Sequence, residues 1–230
     1  MINTKNIQIE KALQAFPLWN QVAIEQRAKY LNEAALSFSG DAQKMAQWQI
    51  NNALEQIAAK QLMPGPTGES NQLSNQGRGV FVSQLDPLEA STEAAFTALV
   101  AQVFAALMAG NSVIHLGDLG KELISKLEED LPEGVLQDAY QVEKKALLQD
   151  IRLAGVALIS TDDKIIEMKQ LLSNKEGLLC QLVTETDLES FSTQAKPSFI
   201  HQFTTEQTIS TNTTAVGGNA TLLELGSKTD

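Results

Sequence analysis

The first sixty residues carry apolar positions at helical spacing and a single glycine, Gly40. Ala12, Leu13, Phe16 and Trp19 recur in this way, followed by Ala23, Ile24, Ala28, Leu31, Ala35 and Phe38. Asp41 is placed to cap a further helix through Met45, Trp48, Ala53, Ile57 and Ala58. The cluster Pro64-Gly65-Pro66-Thr67-Gly68 must be a loop, because two prolines and two glycines within five residues leave no helix to continue.

From Gly79 onward short apolar runs alternate with helical ones. Strands are predicted at Val80–Leu85, Ser112–Leu116, Val135–Tyr140, Gly155–Ile159 and Leu178–Val183. Helices are predicted at Ser91–Ala109, closed by Gly110 in a left-handed cap, and at Asp118–Glu129, Glu143–Gln149 and Asp163–Leu172. Near-continuous β-branched runs separated by helices imply crossover connections and a parallel sheet covered on both faces. The fold class is α/β, a doubly wound, Rossmann-like parallel sheet with N-terminal helices. After Thr186 this rhythm stops. Asp187–Pro197 reads as irregular, Ser198–Phe203 and Gln207–Thr213 alternate like antiparallel strands, and Gly217-Gly218-Asn219 forms a turn before Ala220–Leu225. The expected organisation is a helical segment (1–63) packed on the core, a Rossmann-like domain (64–187), and an irregular segment with a C-terminal β-flap (188–230).

Length and charge narrow the function. A chain of 230 residues can bury a core without disulfides or a structural metal. The net charge of −11 argues against nucleic acid as a partner, since phosphate neutralisation takes clustered Lys and Arg. One cysteine, Cys180, and two histidines, His115 and His201, leave no disulfide and no metal site to expect. The polar stretch Met1–Glu10 lacks an apolar signal region, and Ala94–Ala109, broken by Thr97 and Gln102, falls short of a membrane span. A soluble cytoplasmic protein is expected.

Catalytic constellations are few. No G-x-G-x-x-G or Walker loop follows a strand. Cys180 lies in a predicted apolar strand and reads as a small core residue rather than a nucleophile. His115 ends a strand, where α/β sheets do their chemistry, but no titratable partner is near it in sequence. Asp162-Asp163 suit a helix cap and first turn, Glu128–Asp130 a solvated face, and Gly217-Gly218 a tight turn or a close approach to a ligand.

Four stretches resemble a known family. Leu62-Met63-Pro64-Gly65-Pro66-Thr67-Gly68-Glu69-Ser70-Asn71 with Gly77-Arg78-Gly79-Val80-Phe81 resembles the glutamate-semialdehyde dehydrogenase module of the proline utilization A family. Ala106–Val113 and Ile151–Ala157 resemble the helix-to-strand junction of its cofactor domain and the strand before its cofactor loop. The tail from Ile209 to Leu222 resembles that family's C-terminal motif. What the resemblance implies is an aldehyde dehydrogenase-like domain, and specifically the extra C-terminal domain of the longer members. There it implies packing on the catalytic dehydrogenase module, with a terminal β-flap covering the substrate-channelling cavity.

The departures from the active family imply an absence of catalysis. Its Pro-Trp-Asn-Phe-Pro, whose Asn stabilises the oxyanion, is here Gln84-Leu85-Asp86-Pro87-Leu88. Its cofactor lysine is replaced at His115-Leu116, and its Gly-Ser-Thr turn becomes Ile159-Ser160-Thr161-Asp162. Its Glu-Thr-Gly-Gly becomes Glu185-Thr186-Asp187-Leu188, and the segment bearing the nucleophilic cysteine is missing. No catalytic residue, metal or cofactor is therefore expected, Ser160, Thr161 and Glu185 being remnants of a cofactor site. Contact with a catalytic dehydrogenase module, in the same chain or another, is expected through Thr213, Thr214, Gly217, Gly218 and Asn219. A homo-oligomer remains open. The alternative is a residual NAD-binding or aldehyde dehydrogenase module that keeps Ser160, Thr161 and Glu185 for its ligand.

Overall fold

A computed structural model describes residues 7–86, 90–127, 129–139 and 143–213. Three helices open the chain: α1 (Ile7–Gln21), α2 (Ile24–Ala35) and α3 (Gly40–Ile57). Ser39 stands at the cap of α3, two residues before the expected Asp41, which sits in the first turn instead.

The parallel sheet follows in crossover units. These are β3 (Val80–Leu85), α4 (Thr92–Met108), β4 (Ser112–Leu116), α5 (Leu119–Leu127), β5 (Leu136–Asp138), α6 (Lys144–Leu148), β6 (Leu153–Ile159), α7 (Asp162–Ser173) and β7 (Gln181–Glu185). The strand order β5-β4-β3-β6-β7 is parallel throughout. Counted from its first strand this is 3-2-1-4-5, the arrangement of a mononucleotide-binding Rossmann half extended by two strands. The predicted doubly wound sheet is the fold observed.

The central strands β3, β4 and β6 bury both faces. Phe81, Val113, Ala157, Ile159 and Val183 meet α4, α5 and the N-terminal helices on one side. Val80, Val82, Ile114, Val156 and Leu158 meet Ile9 and Ala12 of α1, Leu147 and Leu148 of α6, and Ile165 and Met168 of α7 on the other. Thirteen of the 17 residues of α4 are buried, because α2 and α3 cover the side that faces away from the sheet. A helix apolar all round is a core helix, and its ends need caps. Ser91 Oγ accepts from Ala94 N at the start. At the end the Trp19 indole Nε1 donates to Leu107 O at 3.0 Å and Arg27 Nε to Met108 O at 3.1 Å. These two bonds fasten α1 and α2 to the orphan carbonyls that every helix leaves at its C-terminus. Gly110 then turns with φ +93°, the predicted left-handed cap.

A second sheet is antiparallel. Its strands are β1 (Gln61–Met63), β2 (Glu69–Gly77) and β8 (Thr204–Asn212), in the order β1-β2-β8. The register runs from Glu69↔Asn212 to Gly77↔Thr204, so the ribbon leaves the core where the parallel sheet begins. Asn111 ties that neck. Its Oδ1 accepts from Arg78 N and Gly79 N, while its Nδ2 donates to Ala106 O and Phe203 O.

Three sequence expectations are corrected. Ser198–Phe203 is not a strand: a 3-10 helix spans Pro197–Phe203, burying Phe199, Ile200 and Phe203. Adjacent Phe199 and Ile200 both need cover, which a strand would split between two faces, and Pro197 presets the helical φ at the first position. Cys180 is not inside a strand, because β7 begins at Gln181, and Leu179 before it is 87% exposed. The antiparallel strand expected at Gln207–Thr213 is β8, but its partner is β2, which carries no apolar alternation to announce it. The turn at Gly217 and the strand at Ala220–Leu225 lie outside the described residues.

Candidate functional site

The switch point of the parallel sheet lies between β3 and β6, the first strands of the two diverging halves. In open α/β sheets ligands enter at the carboxyl ends of strands beside this point. The chain places Asp86, Ser160, Thr161 and Glu185 there.

Asp86 follows β3, and its N–H donates to Ile159 O at 3.0 Å, continuing the ladder one step past the strand. Its carboxylate is already engaged. Ser160 Oγ donates to Asp86 Oδ2 at 2.9 Å, and the Gln84 side-chain amide donates to Oδ1. Ser160 is fully buried, so its hydroxyl serves the protein's own carboxylate. Asp86 was read from the sequence only as part of a lost motif. Its position one residue past a β3 strand end, facing a strand-end serine, is the signal that would have singled it out.

Glu185 ends β7 as the register partner of Ile159 and is 1% exposed. Its Oε1 accepts from Thr186 N at 3.0 Å and Asp187 N at 3.1 Å, its Oε2 from Thr193 N and Gln194 N, both at 2.9 Å. Four backbone donors satisfy a buried carboxylate without a cation and draw the loop after β7 around it. Asp187 extends the same device: backbone and hydroxyl donors of Ser190, then Glu189 N, hold its carboxyl down to about 2. That loop carries the one left-handed non-glycine residue among the described residues, Phe191 with φ 52°.

Thr161 caps α7 in an extended conformation, makes no side-chain capping bond and is exposed. Asp162 and Asp163 fill the first turn of α7 as expected. A helix N-terminus attracts anions, and here the chain supplies its own. Lys164, with the Glu167 carboxylate beside it and Asp86 and Asp163 nearby, has its pKa raised.

His115 lies one strand away on β4, on the α4 face. Its Nδ1 stands 3.0 Å from Ser83 Oγ, and Gln102 Nε2 donates to that same Oγ at 2.7 Å. With Gln102 supplying a proton to Ser83, the Ser83 hydroxyl is free to donate to Nδ1, which leaves the His115 proton on Nε2. No partner meets Nε2 among the described residues, and burial holds the ring down to about 4. His115 is therefore a neutral core residue and carries no charge toward the switch point. Burial pushes the Cys180 thiol up, away from the thiolate a nucleophile requires. Among the described residues no three His, Cys, Asp or Glu side chains gather where a metal ion could be held. No helix among them is long and apolar enough to cross a membrane.

The structure thus brings Ser160, Glu185 and Asp86 to adjacent strand ends and turns the first two inward. Thr161 alone of the three remnants faces solvent. Of the expected contact residues, Thr213 is described, its N–H donating to Gly68 O at 2.7 Å; Thr214, Gly217, Gly218 and Asn219 lie outside the described residues.

Sheet order, crossovers and switch point define a Rossmann-like α/β domain. The solved structures similar to this chain agree. Proline utilization A from Bradyrhizobium japonicum, in a single-substitution variant, superposes with a TM-score of 0.66 and 25% identity over 78% of this chain. A proline utilization A structure with proline bound in remote sites gives 0.68 at 25% identity, again over 78%. The Δ1-pyrroline-5-carboxylate dehydrogenase from Mycobacterium tuberculosis gives 0.62 at 18% identity, a likeness of fold, over 78% of this chain and 39% of that one. The chain spans 21% of the length of those two proline utilization A chains. No model of a known protein family matches the sequence, and no curated protein sequence does.

Proposed function

We propose that this chain is a non-catalytic aldehyde dehydrogenase-like module that supports a proline-catabolic dehydrogenase by packing on its catalytic part and covering its substrate-channelling cavity. The observation that carries the reading is the internal closure of the switch-point crevice. Ser160 is spent on Asp86, and Glu185 on four backbone N–H groups. A dinucleotide pyrophosphate brought to α7 would meet Asp86, Asp162 and Asp163 in place of free donors. An oxyanion in the stretch Gln84–Leu88 would find at Asp86 a carboxylate, which accepts hydrogen bonds and cannot donate one when ionised. Activated thiolate, base and oxyanion donor are needed together, and Cys180 is partly buried with its pKa raised.

The supporting role rests on the ribbon. Thr205 to Asn212 of β8 are exposed residue after residue, and among the described residues β8 is an edge of its sheet. Such an edge, with few apolar side chains, suits the addition of a partner strand more than the sealing of its own core. The partner would be the catalytic dehydrogenase module, in the same chain or another.

The competing reading is a residual NAD module, favoured by the α7 N-terminus standing at the switch point as in dinucleotide-binding folds. Calorimetric titration with NAD⁺ and an aldehyde-oxidation assay on one preparation decide between them. The expected result is dissociation constants in the millimolar range or weaker, about −4 kcal/mol or less favourable, and no turnover. Saturable micromolar binding, or NAD⁺ reduction with glutamate semialdehyde that Cys180→Ala abolishes, would overturn the proposal.

A further inference from the structure

A second opening shares no residue with that crevice. It is a polar cleft of about 650 Å³ between the N-terminal helices and the antiparallel ribbon. Its walls are the α1–α2 junction, the end of α3 with Lys60, and Ser74, Gln76 and Gln207 of the ribbon.

Arg27 lines this cleft although it is only 6% exposed. Its Nε donates to Met108 O at 3.1 Å and its Nη1 to Val22 O at 2.6 Å and Asn20 O at 3.3 Å. A guanidinium has five N–H donors, and two of them belong to Nη2. Nη2 has no hydrogen-bond partner among the described residues, nor is it among the fully occluded atoms left without one. It therefore keeps some solvent access, and the side chain that carries it lines this cleft. No carboxylate among the described residues bonds this charge. Burial lowers the Arg27 pKa to about 10, with Glu25 acting only through space in the opposite direction.

Two further features point the same way. Lys60 is exposed on the rim and joins no ion pair among the described residues. Helix α2 begins inside the cleft with Ala23 at its cap, which offers no side-chain acceptor; the Gln26 and Arg27 N–H groups return to Ala23 O, and the N–H groups of Ile24 and Glu25 are left with no capping side chain. The other walls are amides, a hydroxyl and aliphatic groups, and Glu25 is the one carboxylate of the lining. In a chain of net charge −11 such a lining is a local inversion of sign.

We infer that this cleft is a binding site for a small oxyanion, a carboxylate or a phosphate group, held by Arg27 Nη2, Lys60 and the first turn of α2. The two chemistries share the recognition: oxygen acceptors set against a guanidinium fork, an ammonium and helix N–H groups.

The test is calorimetric titration of the full chain with inorganic phosphate and, separately, with acetate, at constant ionic strength. One saturable site is expected for at least one of the two, and the stronger arm identifies the ligand class. Lys60→Ala should weaken it at least threefold. Glu25→Gln, which removes the cleft's carboxylate, should tighten it about threefold, an effect that damage to the fold would not produce. Arg27→Lys, which retains a donor for Met108 O and removes Nη2, should weaken it at least tenfold wherever the variant melts cooperatively. Saturation by neither anion would overturn the proposal, as would Lys60→Ala and Glu25→Gln that both bind as the parent does.

Discussion

At the scale of single residues, most polar side chains that looked like chemistry turn out to hold the chain together. Glu185 is the clearest case. Replacing it with Gln sets an amide donor against backbone donors, and bonds to a charged group are worth about 1.5–3 kcal/mol each. A net loss of about 2–3 kcal/mol is expected after relaxation, lowering the melting temperature by roughly 5–10 °C. Calorimetry measures it; an unchanged melting temperature would show that the four N–H bonds do not anchor the loop. His115 gives a pH dependence. Its folded pKa is about 4, below the unfolded value of about 6.5. Between these values the unfolded chain binds a proton that the folded chain does not, so stability falls as pH drops through that window. The full effect is about 3 kcal/mol, complete near pH 4 and absent above pH 7. Urea unfolding of the parent and of His115→Asn at pH 7 and pH 4.5 isolates it, because the comparison cancels neighbours such as Asp138, whose pKa burial raises. A parallel loss in both proteins would remove His115 as the cause. Gly155 is a residue the pattern could not mark: a Cβ there would stand 2.1 Å from Phe81 Cε1. Gly155→Ala should cost about 1–3 kcal/mol, as overpacking does in a filled core, and this too is read from urea unfolding.

At the scale of elements, what the sequence showed depended on how each element is buried. The central parallel strands β3, β4 and β6 were visible as apolar runs because both of their faces are covered, and α4 because thirteen of its residues are buried. Ribbon strand β2 was invisible. Its residues Glu69–Gly77 lie mostly half-exposed, so selection for alternation is weak and the backbone ladder to β8 does the pairing. The 3-10 helix was misread because a six-residue apolar stretch carries too little period to separate the two conformations. At the switch point the sequence named Ser160 and Glu185, yet it could not show that Asp86 would reach the one and four backbone amides the other. The first contact joins residues far apart along the chain, and the second depends on how the loop after β7 folds back on Glu185. Deleting Thr205–Asp230 tests the division between core and ribbon. Among the described residues the cut removes only exposed side chains, since Phe199, Ile200, Phe203 and Thr204 remain. The α/β core should stay cooperatively folded, with far-ultraviolet dichroism retained, while association with a catalytic dehydrogenase module weakens. Loss of the core, or association at full strength, would end the case for a contact ribbon.

At the scale of the whole molecule, the ladder from Gly77↔Thr204 outward means that the chain enters and leaves the parallel sheet at one point. Residues 78–203 form a closed loop strung on a two-stranded stem, with Asn111 as the knot at its base. This has a consequence for the order of events during synthesis. Translation delivers β2 more than a hundred residues before β8, so β2 must wait through the making of the entire sheet with only the three-residue β1 beside it. An apolar waiting strand would pair with whatever edge it met first. The run Glu69-Ser70-Asn71-Gln72, poor in strand formers, keeps that strand uncommitted until the core has closed and brought β8 alongside.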